Sequence, residues 1–411
     1  MDEGFDSRRD RHLFGPGSKR ILALGGSANS GISTAIFIAF LERVEEILSQ
    51  RINQPTRLGD YFDLIGGTSF GAITAAGLAL GYRGGELKDF VFKLIPFALK
   101  STSLRMPGLQ PKFDADALRS GIRDLVGDRA LESSDLITGL CIILKRMDTG
   151  SPWIISNNPR APYWEDGKDY IGNKSYPLVN LLRASAAAAH FFDPELLPIG
   201  TLRPEDIEPL NVPLLARLFQ ATMRTIGLSK PVTIDPNIYG LFVDGTLTPH
   251  GNPSLALLNM AILQPFRIRW PTGPERLTVC SIGAGRRRFQ PPGGSLTGFA
   301  TMAIAGLTTI VTDAEETVLA QMQYLGECPT PWGDSDTGIS AEDSPQGGKM
   351  CRFLHYNIEF EPEWIKNTIG ETLSPKDIAR LQVLDDPNVL SDVYGLAQTV
   401  AKKQVKLEHF S

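Results

Sequence analysis

Cysteine is scarce in this chain. Its 411 residues include four, Cys141, Cys280, Cys328 and Cys351, widely separated and without a CxxC pair. That spacing argues against a disulfide framework or a structural zinc site and fits a reducing compartment, so a cytoplasmic protein holding no metal is expected. Histidine is scarce too, with His12, His190, His250, His355 and His409 as the full set. No apolar run approaches the ~18 residues of a membrane span; the longest, Ile32 to Leu41, carries Ser33 and Thr34. Charge of one sign does not dominate: 46 acids against 41 bases leave a net charge of −5, which gives no global attraction to nucleic acid or to an anionic membrane. The first twenty residues are charged and have no apolar h-region, so they read as a frayed tail over 1–19 and not as a secretory signal. Any action on lipid would then come from the water side, by a cytoplasmic protein or one peripheral at membranes.

What is present is an ordinary globular composition, 42% hydrophobic and 21% charged, in a chain long enough for a large core. The segment Asp60 to Ala76 reads as strand, sharp turn and small-residue helix, with Gly67-Thr68-Ser69-Phe70-Gly71 at the corner. This fits G-x-S-x-G, in which glycines two residues either side of a serine allow the turn without a Cβ clash and the hydroxyl stands proud above a helix N-terminus. A tight βα turn with a solvated serine would read the same way.

Further motifs surround that corner. Arg20 to Leu24 predicts a buried strand, running into Gly25-Gly26-Ser27-Ala28-Asn29-Ser30-Gly31 and an apolar helix from Ile32 to Ser49. Strand, glycine-rich loop and helix form an anion-binding arrangement, or simply a tight turn for close packing; the loop fits neither the P-loop nor G-x-G-x-x-G. Two parallel βα units would bring this loop and Ser69 to one carboxyl edge of a sheet. The pattern further predicts helices over Phe70 to Gly81, Glu86 to Lys100 (kinked or ended by Pro96), Leu178 to His190 and Val212 to Met223, and strands over Leu136 to Met147, Pro152 to Ser156 and Ile238 to Val243. Leu104 to Pro111 could add a mobile flap to the second of those helices, although ordinary core packing of that helix is the simpler expectation. Arg286-Arg287-Arg288 reads as a solvated face or a lipid-headgroup contact. Asn157 to Asn173 reads as loop, Thr297 to Leu325 as a long helix, Cys351 to Glu359 as a strand, and Ser374 to Val405 as two helices.

A serine nucleophile needs a base. Asp244 and His250 follow Ser69 in α/β-hydrolase order but stand six residues apart on one loop, which leaves little room for an acid behind an imidazole. A Ser69–Asp244 dyad is therefore favoured, with the oxyanion held by backbone N–H groups of the Gly25-to-Gly31 loop and the histidines structural or superficial.

Taken together, the glycine-rich loop on the first strand, Gly-Thr-Ser-Phe-Gly on the second, Arg183-Ala-Ser-Ala-Ala-Ala on a helix, and Phe242-Val-Asp-Gly followed by Asn252-Pro-Ser resemble a patatin-like phospholipase over about Arg20 to Gly285. The resemblance implies a three-layer α/β/α fold with a mostly parallel sheet. It implies a catalytic domain over 20–290, with a helical part, 291–411, packed on it. It also implies a serine lipid acyl hydrolase acting on phospholipid or another acyl-ester lipid at a membrane surface, without cofactor, metal, nucleic acid or transmembrane segment. Ser69 would be the nucleophile, Asp244 its general base, and the N–H groups of Gly26, Ser27 and Ala28 the oxyanion hole. The loop lacks the family's acid and arginine and carries Ser27 and Ala28 where the family has glycine. The alternative is thus a catalytically impaired member that binds lipid or a protein partner.

Overall fold

The fold was read from a computed structural model, which describes residues 5, 7–26, 31–99, 113–188, 191–201, 238–286, 299–332, 343–383 and 386–410. Nine strands form one sheet: β1 Lys19–Leu24, β2 Leu64–Thr68, β3 Gly139–Arg146, β4 Pro152–Ser156, β5 Glu195–Pro198, β6 Tyr239–Asp244, β7 Leu277–Ile282, β8 Gly326–Glu327 and β9 Cys351–Tyr356. Their order is β5-β6-β3-β2-β1-β7-β9-β8, with β4 added on β3. The centre, β3-β2-β1-β7-β9, is parallel, while β4 and β6 pair antiparallel with β3, and β5 pairs antiparallel with β6.

Period-two burial builds the three layers. Leu22 and Leu24 of β1 join Ile65, Ile142 and Leu144 on one face, in a core shared with the helices Thr34–Ile52, Phe70–Ala79, Gly84–Ala98 and Leu390–Gln404. Ile21 and Ala23 point to the other face, with Leu64, Cys141, Ile143 and Val279, against Ser254–Ile262 and Phe299–Leu325. Because both faces are covered, the central strands read as continuous apolar runs and not as alternation.

The register of β3 explains how distant segments meet. It pairs with β2 over Gly139 to Ile143, with β4 over Cys141 to Lys145 and with β6 over Leu144 to Arg146. A strand has two edges, so the overlaps put β4 on one and both β2 and β6 on the other. β2 and β6 thus run toward each other along one edge of β3 and nearly meet: Thr68 pairs with Ile143 and Asp244 with Leu144.

Most predicted elements lie within a few residues of the observed ones. Pro96 sits inside the helix, which ends two residues later at Ala98, and the helix from Leu178 ends at Ser185. The N-terminal segment differs from expectation. Residues Arg8–Phe14 form a helix capped by the Ser7 hydroxyl, which accepts from the Asp10 N–H at 3.1 Å. Leu13 is buried, its carbonyl accepts from Trp270 Nε1 at 2.7 Å, and His12 Nδ1 lies 3.0 Å from Asp63 Oδ1. One apolar residue, the N-cap and two long-range polar contacts hold a helix whose charged sequence reads as a tail. The expected flap at 104–111, the helix at 212–223, Arg287, Arg288 and His190 fall outside the described residues.

Candidate active site

Ser69 lies between β2 and the helix Phe70–Ala79, with φ 58° and ψ −131°. That conformation costs a non-glycine residue about 1–3 kcal/mol and persists only where its surroundings impose it. Two close approaches impose it here. A Cβ on Gly67 would meet the Gly71 backbone at 2.3 Å, and one on Gly71 would meet the Leu24 carbonyl oxygen at 2.5 Å. The glycines of G-x-S-x-G are therefore required by contact; the positive φ belongs to the serine itself.

Ser69 Oγ donates to Asp244 Oδ2 at 2.5 Å. The other carboxylate oxygen, Oδ1, accepts from Thr246 N–H at 2.9 Å and from Thr246 Oγ1 at 2.8 Å. Asp244 is 1% exposed. Burial raises its pKa from 3.8 to about 6, against the lowering effect of the Ser69 and Thr246 hydrogen bonds and of the Arg183 guanidinium. The positive end of the Phe70–Ala79 helix dipole faces the same point and favours negative charge there. The arrangement can therefore move a proton between a hydroxyl and a carboxylate of near-neutral pKa.

The alanine-rich run ties the two halves together. Ser185 Oγ accepts from the Ser69 N–H at 2.9 Å and donates to the Ile143 carbonyl at 2.7 Å, while the Ala187 carbonyl accepts from the Asp244 N–H at 3.1 Å. Small side chains at Ala184 to Ala188 permit this approach. Ser185→Ala would leave two buried backbone groups without partners, a loss of about 1–3 kcal/mol for each. Misplacing the serine should also lower turnover by up to about 10²-fold. Thermal unfolding and the kcat of the purified variant check both effects, and wild-type values in both would contradict the positioning role.

Two expectations need revision. Ser69 is 0% exposed, so its hydroxyl does not stand proud of the surface. The Gly26 N–H donates to the Gly251 carbonyl at 2.7 Å, so it is not free to hold an oxyanion; the Gly25 N–H likewise donates to Ile282. Ser27 and Ala28 lie outside the described residues. His250 contributes its backbone, the carbonyl accepting from Thr68 Oγ1 at 2.6 Å, and its Nδ1 has no partner. Among the other described histidines, His12 pairs with Asp63, His355 with Ser281 and His409 with Tyr356. Sequence reasoning missed Thr246 and the specific task of Ser185. The run of small residues around Ser185 signalled close packing, whereas nothing local singled out Thr246.

A mostly parallel α/β sheet with a serine at a strained strand-to-helix elbow, hydrogen-bonded to a buried carboxylate, is an architecture of acyl hydrolases. The chain belongs to the patatin-like phospholipase family, whose family model matches residues 22–257. It is 31% identical over 186 residues to a cGAMP-activated phospholipase of Vibrio cholerae, covering 43% of this chain and 49% of the relative. A cGAMP-activated phospholipase of Escherichia coli is 29% identical over 179 residues, covering 43% of this chain and 48% of the relative. The chain thus matches about half the length of these curated relatives. Among solved structures, human GIVD cytosolic phospholipase A2 aligns at a TM-score of 0.45 with 10% identity, over 100% of this chain and 60% of that one.

Proposed function

We propose that the protein is a serine lipid acyl hydrolase. Ser69 Oγ attacks the acyl carbonyl as Asp244 takes its proton; Asp244 then returns that proton to the departing alcohol, leaving an acyl-serine. Water, deprotonated by the same carboxylate, attacks the acyl-serine, releasing the fatty acid and restoring Ser69. Backbone N–H groups of Ser27 and Ala28 are the proposed oxyanion donors. The observation that carries the reading is the 2.5 Å hydrogen bond between an elbow serine and a carboxylate with a pKa of about 6. The names of the bacterial relatives support a phospholipid substrate, and the assigned setting is the cytoplasm, at the membrane surface. Among the described residues no helix is long and apolar enough to cross a membrane.

A lipid- or partner-binding protein with little turnover is a second reading. The engaged N–H groups of Gly25 and Gly26 favour it, because losing one oxyanion donor costs about 10²–10³-fold in rate. A pH–rate profile on phospholipid vesicles tests the first reading. Only ionised Asp244 can accept the proton, so kcat/KM should climb about tenfold per pH unit up to about pH 6 and level off above it. A profile governed by a histidine-like pKa that disappears in His250→Ala would contradict the dyad. Absence of turnover at every pH would favour the second reading.

A further inference from the structure

The helix Leu178–Ser185 carries a charged side chain to which the hydrolysis gives no bond-making task. Arg183 is 0% exposed and is among the largest side chains that the fold buries completely. Its Nη2 donates to the Asp193 carbonyl at 2.7 Å, and its Nε makes a longer bond to the Ala115 carbonyl at 3.4 Å. Its Nη1 has no hydrogen-bond partner. The guanidinium carbon lies over the Phe192 ring, 5.5 Å from its centroid.

Among the described residues no carboxylate pairs with this cation. Glu195 on β5 is the acid whose charge acts on it most, and that carboxylate is bound by Arg119; Arg119, Asp193 and Asp116 are the further charges around it. Stability alone gives no reason for a guanidinium here. A buried charge served only by carbonyls is costly, and a well-packed apolar side chain of similar volume is often neutral or stabilising in its place. Burial lowers the Arg183 pKa, with Glu195 the largest opposing influence, yet a guanidinium keeps its proton where a buried lysine would give it up.

Two features of its position connect it to the reaction. Ala115 opens the helix Ala115–Val126, and Asp193 lies just before β5, so the fork ties Leu178–Ser185 to a segment on each side. Within the next four residues Ser185 Oγ accepts from the Ser69 N–H and the Ala187 carbonyl accepts from the Asp244 N–H. Slack in the clamp would therefore reach the supports of both catalytic groups. The second feature is charge. Of the groups that favour ionised Asp244, Ser69 and Thr246 are uncharged donors, whereas Arg183 supplies a full positive charge through an interior in which all four residues are buried. Resting on the Ser69–Asp244 reading above, we propose that Arg183 is a positioning residue for the hydrolysis: it clamps the stretch that carries Ser185 and Ala187, and its charge keeps Asp244 in the ionised form that accepts the serine proton.

The test follows the rate of Ser69 labelling by a fluorophosphonate against pH, in the full chain, for wild type, Arg183→Gln and Arg183→Met. Glutamine keeps N–H donors without the charge; methionine keeps neither. The wild-type rate should climb to a plateau with its midpoint at about pH 6. Both variants should move that midpoint upward by about half a pH unit or more, since a unit charge has left the interior. The plateau should fall in both, and further in Arg183→Met, where the clamp goes with the charge. If Arg183→Met fails to fold, Arg183→Gln carries the same expectation. A residue that only props up the fold would lower the plateau and leave the midpoint in place, and that result would overturn the proposal, as would wild-type behaviour in both variants. If folded wild type takes no label, the nucleophile assignment falls. The ionisation of Asp244 is then read from the ¹³C carboxyl resonance that Asp244→Asn removes, and a midpoint unmoved by the Arg183 variants overturns the charge role separately.

Discussion

Ser69→Ala is expected to lower acyl-ester hydrolysis by about 10⁶-fold, to the level left by binding and backbone electrostatics alone. The loss should fall on kcat, because the hydroxyl forms the bond to the acyl carbon and the rest of the pocket is unchanged. Alanine at φ 58° carries strain comparable with that of the serine, so the backbone gives no reason for collapse. Asp244 does lose the hydrogen bond that most lowers its pKa, and its proton affinity should rise further above the present value of about 6. Kinetics on vesicles together with a thermal melt check the prediction. A residual rate within tenfold of wild type in a folded variant would remove Ser69 from the chemistry.

Asp244→Asn should cost about 10²–10⁴-fold in rate, the span of general-base catalysis, while making the protein more stable above pH 6. The sign follows from linkage. The folded-state pKa lies above the unfolded value, so the folded state binds the proton more tightly, and stability falls as pH rises from about 4 to about 6. A rise from 3.8 to about 6 corresponds to about 3 kcal/mol at 1.36 kcal/mol per pKa unit, an upper bound for a fully buried group. Asparagine can still accept from Thr246 through its carbonyl and meet Ser69 Oγ through its amide, without a buried charge. Thermal melts at pH 4.5 and pH 8 should show wild type losing stability between them and the variant losing less. A variant less stable than wild type at pH 8 would mean that the ionised carboxylate helps to hold the site together.

The sequence shows some parts of this site plainly and hides others, for physical reasons. β1, β2 and the elbow at Ser69 are legible because buried parallel strands are short apolar runs bounded by glycine. Asp244 is legible as a carboxylate at a strand end. That its strand runs antiparallel and meets β2 along one edge of β3 is not, because hydrophobic pattern does not encode which edge a strand takes. The helix Arg8–Phe14 is hidden because its stability comes from Asp63 and Trp270, remote in sequence, and not from an apolar stripe of its own. Loop chemistry told equally little about Gly26, whose N–H finds its partner at Gly251.

The most direct measurement of the central claim is labelling by a serine-directed fluorophosphonate, read by intact mass and peptide mapping. Wild type should take up one label on Ser69, more slowly below pH 6, and Ser69→Ala should take up none. A folded wild-type protein that stays unlabelled, or one labelled elsewhere while Ser69→Ala labels equally, would contradict a nucleophilic Ser69 activated by Asp244.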